Sequence, residues 1–305
     1  MEAYPDDYIT HNLPLVVLSG LENASATTPS SSPDGFDFGR GTRITSDLPC
    51  LSGSRAEHLL SEFMKADGTL FPDGVLSPHW VAKHQHHVPS VFISFFEINA
   101  DPSSSSLQDN HLKNDINAIK TALTKSGFKT RYAVVLLSDK SLSAAPELEE
   151  RLAALRRATS LDSKTSLFFL PPNGSRTELA SFVTNVLVAL QPVCIEYYRD
   201  LTKHARRKKN RGYVPPPTAA PTRGTSQTLS TQGWNVRYEF KQGVFAEFRQ
   251  EMDVAERHYS FAIEELFNPE GVFETTPSWS PRWDEARLLC DVIALRVLRC
   301  QLWRE

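Results

Sequence analysis

The chain has 305 residues, 40% of them hydrophobic, which is enough for two modest domains that each bury a core. Lysine and arginine number 33 against 36 acidic residues, so the net charge of -3 excludes a global pull toward nucleic acid or anionic membrane and leaves only local charge to act. Cys50, Cys194, Cys290 and Cys300 show no C-x-x-C spacing, which argues against a disulfide framework or structural zinc and for reduced thiols in the cytosol.

The opening MEAYPDDYITHN lacks the basic and apolar regions of a signal peptide, and no apolar run is expected to reach the ~20 residues that span a bilayer, so membrane contact would be peripheral. Leu13 to Leu18 is a short valine- and leucine-rich run that reads as a buried strand ended by Ser19-Gly20. The stretch Ala24 to Gly35 has almost nothing to bury and reads as a mobile loop. At Ser54 the sequence S-R-A-E forms a capping box, and Ala56, Leu59, Leu60, Phe63 and Met64 make one apolar helical face.

Val91 to Ile98, VFISFFEI, is apolar on both faces, as a strand covered by helices on each side of a parallel sheet must be. A crossover helix follows with Leu112, Ile116, Ile119 and Leu123 on one face. Arg131 to Ser138 is the next strand, Leu148, Leu152 and Leu155 mark a second helix, and Ser166 to Leu170 a third buried strand. Ser175-Arg-Thr-Glu178 then caps a helix carrying Leu179, Phe182, Val183, Val186, Leu187 and Leu190 on one stripe, and Pro192 should kink or restart it. Strand and helix alternate at the lengths a βαβ crossover requires, which predicts an α/β fold with a small parallel sheet and flanking helices.

Residues 212–234 are rich in Pro, Thr, Ser and Gly and read as a flexible linker. The expected organisation is an N-terminal strand and low-complexity loop over 1–56, an α/β domain over 57–211, that linker, and a helical part over 235–305. In the helical part Gly243 is followed twelve residues on by Ala255, sixteen on by Tyr259 and nineteen on by Ala262, the tetratricopeptide spacing that lets adjacent helices approach closely. The match is partial: Ala246 replaces an expected aromatic, and the closing proline arrives late, at Pro269. Trp283 to Trp303 is a final helix whose apolar residues point nearly all round its axis, so burial on more than one side is expected. Full burial of such side chains is worth roughly 1.5 to 3 kcal/mol each, so the set rivals a whole domain's stability of about 5 to 15 kcal/mol. The expectation is that this is the beginning of a longer TPR-like α-solenoid.

Candidate chemistry is sparse. Asp139-x-Ser141-x-Ser143 follows a buried strand as the Mg²⁺-binding motif of von Willebrand A domains does, but the helix-capping role of Ser143 is the competing reading and the Thr and second Asp of such a site cannot be placed. Glu97, Asn99, Asp101, Asp139 and Asn173 lie where strands of a parallel sheet end, yet no glycine-rich phosphate loop accompanies them, and turn and cap roles are preferred. His79, His84, His86 and His87 crowd a short segment without a cysteine or spaced carboxylate to complete a metal site. No nucleophile has a recognisable base, so no catalytic residue, metal site or cofactor is assigned. The one strong local charge is Lys203, Arg206, Arg207, Lys208, Lys209 and Arg211 at a helix end; a solvated terminus, a contact with an acidic partner or anionic membrane, and a nuclear-import signal all fit it.

Four blocks, HNLPLVVLSGL (His11 to Leu21), GVLSPHWVAKHQHHVPSVFISFFEI (Gly74 to Ile98), EYYRDLTKHARRKKNR (Glu196 to Arg211) and FAEFRQEMDVAERHY (Phe245 to Tyr259), occur in the order found in the foie gras family. The chain resembles that family, which includes subunit 11 of the trafficking protein particle (TRAPP) tethering complex, in a fungal version. The resemblance implies a non-enzymatic scaffold that binds other TRAPP subunits, lies in the cytosol at the periphery of cis-Golgi and early secretory membranes, and serves transport from endoplasmic reticulum to Golgi and autophagy. The alternative is a metal-dependent ligand-binding module centred on Asp139, Ser141 and Ser143.

Overall fold

The computed structural model describes residues 11–20, 43–45, 80–81, 83–98, 105–138, 147–170, 175–213 and 229–303. The chain divides into two compact units, one holding the described residues of Leu15–Gly53 and Val88–Tyr197, the other those of Met1–Pro14, Ser54–His87 and Tyr198–Glu305.

The first unit is built on a parallel sheet of five strands in the order β2-β1-β3-β4-β5, with β1 Leu15–Ser19, β2 Arg43–Thr45, β3 Val91–Ile98, β4 Arg131–Ser138 and β5 Leu167–Leu170. Helix α1 (Ser105–Lys125) connects β3 to β4, α2 (Glu147–Thr159) lies between β4 and β5, and α3 (Arg176–Asn210) follows β5. Alternation along β4 sorts the core into two layers. Val134 and Leu136 pack with Leu112 and Ile116 of α1 and Leu148, Leu152 and Leu155 of α2. Ala133 and Val135 point the other way, onto Val186, Leu190 and Cys194 of α3, together with Val16, Val91 and Ile93. The all-apolar strands are therefore those covered on both faces, as a parallel sheet requires.

Polar contacts fix the layers. Arg151 on α2 grips Asp109 on α1 through two parallel hydrogen bonds of 3.0 and 2.7 Å. Ser90, just ahead of β3, donates from its backbone N–H and its hydroxyl to the Leu15 carbonyl, each at 2.9 Å, which sets the entry of β3 beside β1. The turn after β1 needs glycine: Gly20 has φ +92°, and a Cβ there would lie 2.5 Å from the Phe95 carbonyl oxygen.

The capping box that starts α3 is complete, since Glu178 accepts from the Ser175 N–H at 2.6 Å and Ser175 Oγ accepts from the Glu178 N–H at 3.3 Å. One sequence expectation about α3 changes. Pro192, where a kink or restart is expected, lies inside the helix. An 18-residue window within α3 reaches a mean hydropathy of 1.6, so among the described residues one helix is long and apolar enough to cross a membrane by length and composition. Thr184, Asn185 and Gln191 interrupt its letters and hid that average, while Val186, Leu190 and Cys194 show its actual packing, on the sheet.

In the second unit α4 (Thr231–Phe248) and α5 (Met252–Phe267) are joined by the short turn Arg249–Glu251, and α6 (Val272–Thr275) and α7 (Pro281–Leu302) follow. Ser230 caps α4 by accepting from the Gly233 N–H at 3.1 Å. The α4–α5 pair is close because Gly243 faces Tyr259: a Cβ on Gly243 would lie 2.4 Å from the ring. Ala246, Ala255 and Ala262 are all fully buried beside it. Only part of the apolar circumference of the final helix is covered. Ala286, Leu289, Val292, Ile293 and Cys300 are buried, whereas Leu288, Leu295, Leu298 and Leu302 are exposed.

Candidate functional site: an interaction surface on the helical unit

The interior of the helical unit is organised by a charge. Glu247 of α4, 1% exposed, accepts from Arg296 Nη1 at 2.9 and 2.7 Å, from Asn12 Nδ2 at 2.6 Å and from the Tyr259 hydroxyl at 2.5 Å. Asn12 in turn accepts from Gln85 Nε2 at 2.8 Å, and its carbonyl accepts from Gln250 Nε2 at 3.1 Å. Burial pushes the Tyr259 phenol well above its usual range, and the Glu247 carboxylate adds to that. Burial works against the Arg296 cation, but Glu247 and Tyr259 outweigh it and raise the pKa. Both carboxylate oxygens of Glu247 are held from inside the unit, so this hub specifies packing.

Burial, then the Glu247 charge, push the Cys300 thiol up to about 12, and burial also raises Cys194 and Cys290. The three carry no disulfide, and none has the depressed pKa of a nucleophile. Among the described residues no group of three or more His, Cys, Asp or Glu could hold a metal ion. His84 and Gln85 are buried in the π-helical turn Lys83–His87. Asp139, Ser141 and Ser143 lie outside the described residues, as do His79, Asn99, Asp101 and Asn173; Glu97 is exposed at the end of β3.

The basic run splits into two groups. Lys209 is used internally, 2.7 Å from Glu239 and 3.7 Å from Glu265. Lys203 pairs with Asp200 at 3.2 Å along the helix, and Lys208 lies 5.4 Å over the Tyr213 ring. Arg206, Arg207 and Arg211 are exposed. Burial raises the Glu239 carboxyl, yet hydrogen bonds from His258 and Lys209 outweigh it and hold the pKa below the usual range.

An apolar row lies exposed along α7. Leu288, Leu295, Leu298 and Leu302 recur at seven, three and four residues and are 39 to 60% exposed, forming the kind of seam one helix offers another. The sequence predicts that these leucines are covered by further helices of a longer solenoid, and composition alone does not say which neighbours cover them. Sequence reasoning missed Glu247 and Arg296, whose signal was a charge inside an otherwise apolar helical face.

A family profile described as the trafficking protein particle complex subunit 11 N-terminal domain matches residues 1–70 and 66–179, more than half of the chain. The chain belongs to that family. A second profile, foie gras liver health family 1, matches residues 182–269, so the two matches meet inside α3. Trafficking protein particle complex subunit 11 from Gallus gallus, Bos taurus and Homo sapiens is in each case 27% identical over 194 residues, covering 63% of this chain. The chain spans about 15% of the length of these subunit 11 relatives.

Proposed function

We propose that the chain acts as the N-terminal part of a non-catalytic scaffold subunit in a TRAPP-type tethering complex, serving transport from endoplasmic reticulum to Golgi and autophagy. Its membership of the subunit 11 family supports the complex. The observation that carries the scaffold role is the exposed leucine seam of α7, an apolar surface on a helix whose other face is already packed. In this reading residues 57–211 are an α/β domain, the linker expected over 212–234 ends where α4 begins at Thr231, and α4, α5 and α7 begin a TPR-like solenoid that the rest of the protein continues across the seam. The close approach of Tyr259 to Gly243 supports that stacking.

The partners are other TRAPP subunits, and the place of action is the cytosolic side of cis-Golgi and early secretory membranes. Lys203, Arg206, Arg207, Lys208, Lys209 and Arg211 offer a cationic contact for an acidic partner surface or an anionic membrane, with Arg206, Arg207 and Arg211 the outward group. No observation favours a metal module on Asp139, Ser141 and Ser143. Affinity purification of the full-length protein from its own cells tests the proposal: co-recovery of other tethering subunits is expected, and their consistent absence would refute it.

A further inference from the structure

Between His258 and Arg282 the sequence holds no lysine or arginine but four glutamates, Glu264, Glu265, Glu270 and Glu274. The structure sets aromatic rings into this stretch where α5, α6 and α7 follow one another. The Phe267 ring lies 5.0 Å from Phe273, and Phe273 meets Trp283 edge-on at 5.7 Å, so one ring from each of the three helices forms a ladder. The turn beneath the ladder is tightly built. Gly271 donates to the Asn268 carbonyl at 2.6 Å, a Cβ on Gly271 would lie 2.7 Å from the Leu266 and Asn268 carbonyl oxygens, and the Thr275 hydroxyl donates to the Gly271 carbonyl at 2.8 Å.

The outer end of the ladder stands in water. Phe267 is 61% exposed, and Trp279, four residues ahead of Trp283 and so within ~14 Å of it along the chain, is 80% exposed. Glu264 precedes Phe267 by three residues on α5, which puts the two side by side, and Glu270 and Glu274 flank Phe273 in sequence. All three carboxylates are exposed, and none forms an ion pair among the described residues. Glu265 differs, being held by Lys209 at 3.7 Å. The next cations along the chain are committed: Arg282 to Glu285 at 2.9 Å and Arg287 to Asp284 at 3.8 Å. Arg287 also shows in miniature what such a surface takes, since its guanidinium stands 5.9 Å over the Trp283 ring while pairing with Asp284.

We propose that Phe267, Phe273 and Trp279, rimmed by Glu264, Glu270 and Glu274, form a docking surface for an arginine-bearing segment of another protein. A guanidinium lies flat on an aromatic ring and offers paired donors to a carboxylate, so one side chain answers both halves of the surface, and its alkyl stem covers ring that is otherwise wet. Charge complementarity selects this occupant. An anionic bilayer would bring like charge onto three unpaired carboxylates. A purely apolar partner would cover them without a counter-charge. The surface uses none of the α7 leucines, so it adds to the scaffold reading without resting on it.

The test uses the 305-residue chain and a fluorescein-labelled peptide of four Arg-Ser repeats, followed by anisotropy at 150 mM salt. Saturable binding is expected. Affinity should fall about tenfold or more in F267S/W279S and in E270Q/E274Q, and the matching Lys-Ser peptide should bind several-fold more weakly, because an ammonium has no planar face to stack. E149Q/E150Q makes the same change of charge on exposed positions of α2 and should leave affinity unaltered. The altered positions are at the surface, so an unchanged Tm in each variant shows that any loss is one of binding. The proposal is overturned by absent or unsaturable binding, by affinity undiminished in F267S/W279S, or by an equal loss in E149Q/E150Q. Flotation with phosphatidylserine vesicles, or self-association in sedimentation, that disappears in F267S/W279S would assign the surface to a membrane or to a second copy and would likewise overturn it.

Discussion

Glu247 and Arg296 form an ion pair at 2.7 Å with both side chains 1% exposed, and the two residues come from different helices, α4 and α7. Glu247→Ala would leave a buried guanidinium without its counter-charge. A loss of about 3 to 5 kcal/mol is expected in denaturant unfolding. The paired change E247L/R296M removes both charges and should recover most of that loss; equal damage from the single and the double variant would show that the pair is not coupled.

Gly20→Ala places a methyl group against the Phe95 carbonyl in a backbone conformation that alanine resists. Strain of this kind costs about 1 to 3 kcal/mol, and the obstructing atom is backbone, which cannot rotate away. Hydrogen exchange should quicken across β1 and β3 in this variant, and unchanged protection there would contradict the account.

Replacing Leu295 and Leu298 together by Gln touches exposed positions. The stability of the 305-residue chain should stay within about 0.5 kcal/mol, while its tendency to self-associate should fall in sedimentation experiments. In the full-length protein the same pair of changes should lower stability or subunit recovery, since the seam would there be covered. A silent result in the full-length protein would mean the seam is only surface.

Lys241 makes an opposite prediction, that truncating a charge stabilises. Burial lowers its folded pKa, so the contribution to stability is intact above the ordinary lysine value near 10.5 and is lost as pH falls toward the folded value. At neutral pH, K241M should gain about 1 kcal/mol, less whatever the contact with Trp80 contributes. That gain should shrink as pH approaches the ordinary lysine value, and the groups facing Lys241 that could modulate it are Arg237, Lys208, Lys83 and His84. A variant less stable than the parent at neutral pH would count against this account.

The sheet was legible because its signal is local. VFISFFEI and RYAVVLLS are mainly apolar on both faces, with Ser94 and Glu97 in the first and the terminal Arg131 and Ser138 in the second as exceptions, and a doubly covered parallel strand accounts for that. The reciprocal cap at Ser175 and Glu178 could likewise be read from four consecutive letters. The Glu247 hub could not, since Asn12 and Glu247 stand 235 positions apart and nothing in either neighbourhood announces the other. The basic run was half visible. It is obvious as letters, whereas the pairing of Lys209 with Glu239 and Glu265 is set by residues far along the chain.

That Asn12 reports to Glu247 has a bearing on biosynthesis. At roughly 5 to 20 residues per second, a ribosome takes on the order of tens of seconds to supply the carboxylate after the amide has emerged. For that interval the amide has no Glu247 to bind, and the helical unit closes only when α7 delivers Arg296. Tags or truncations that disturb His11 and Asn12 should therefore injure α4, 235 positions further along the chain.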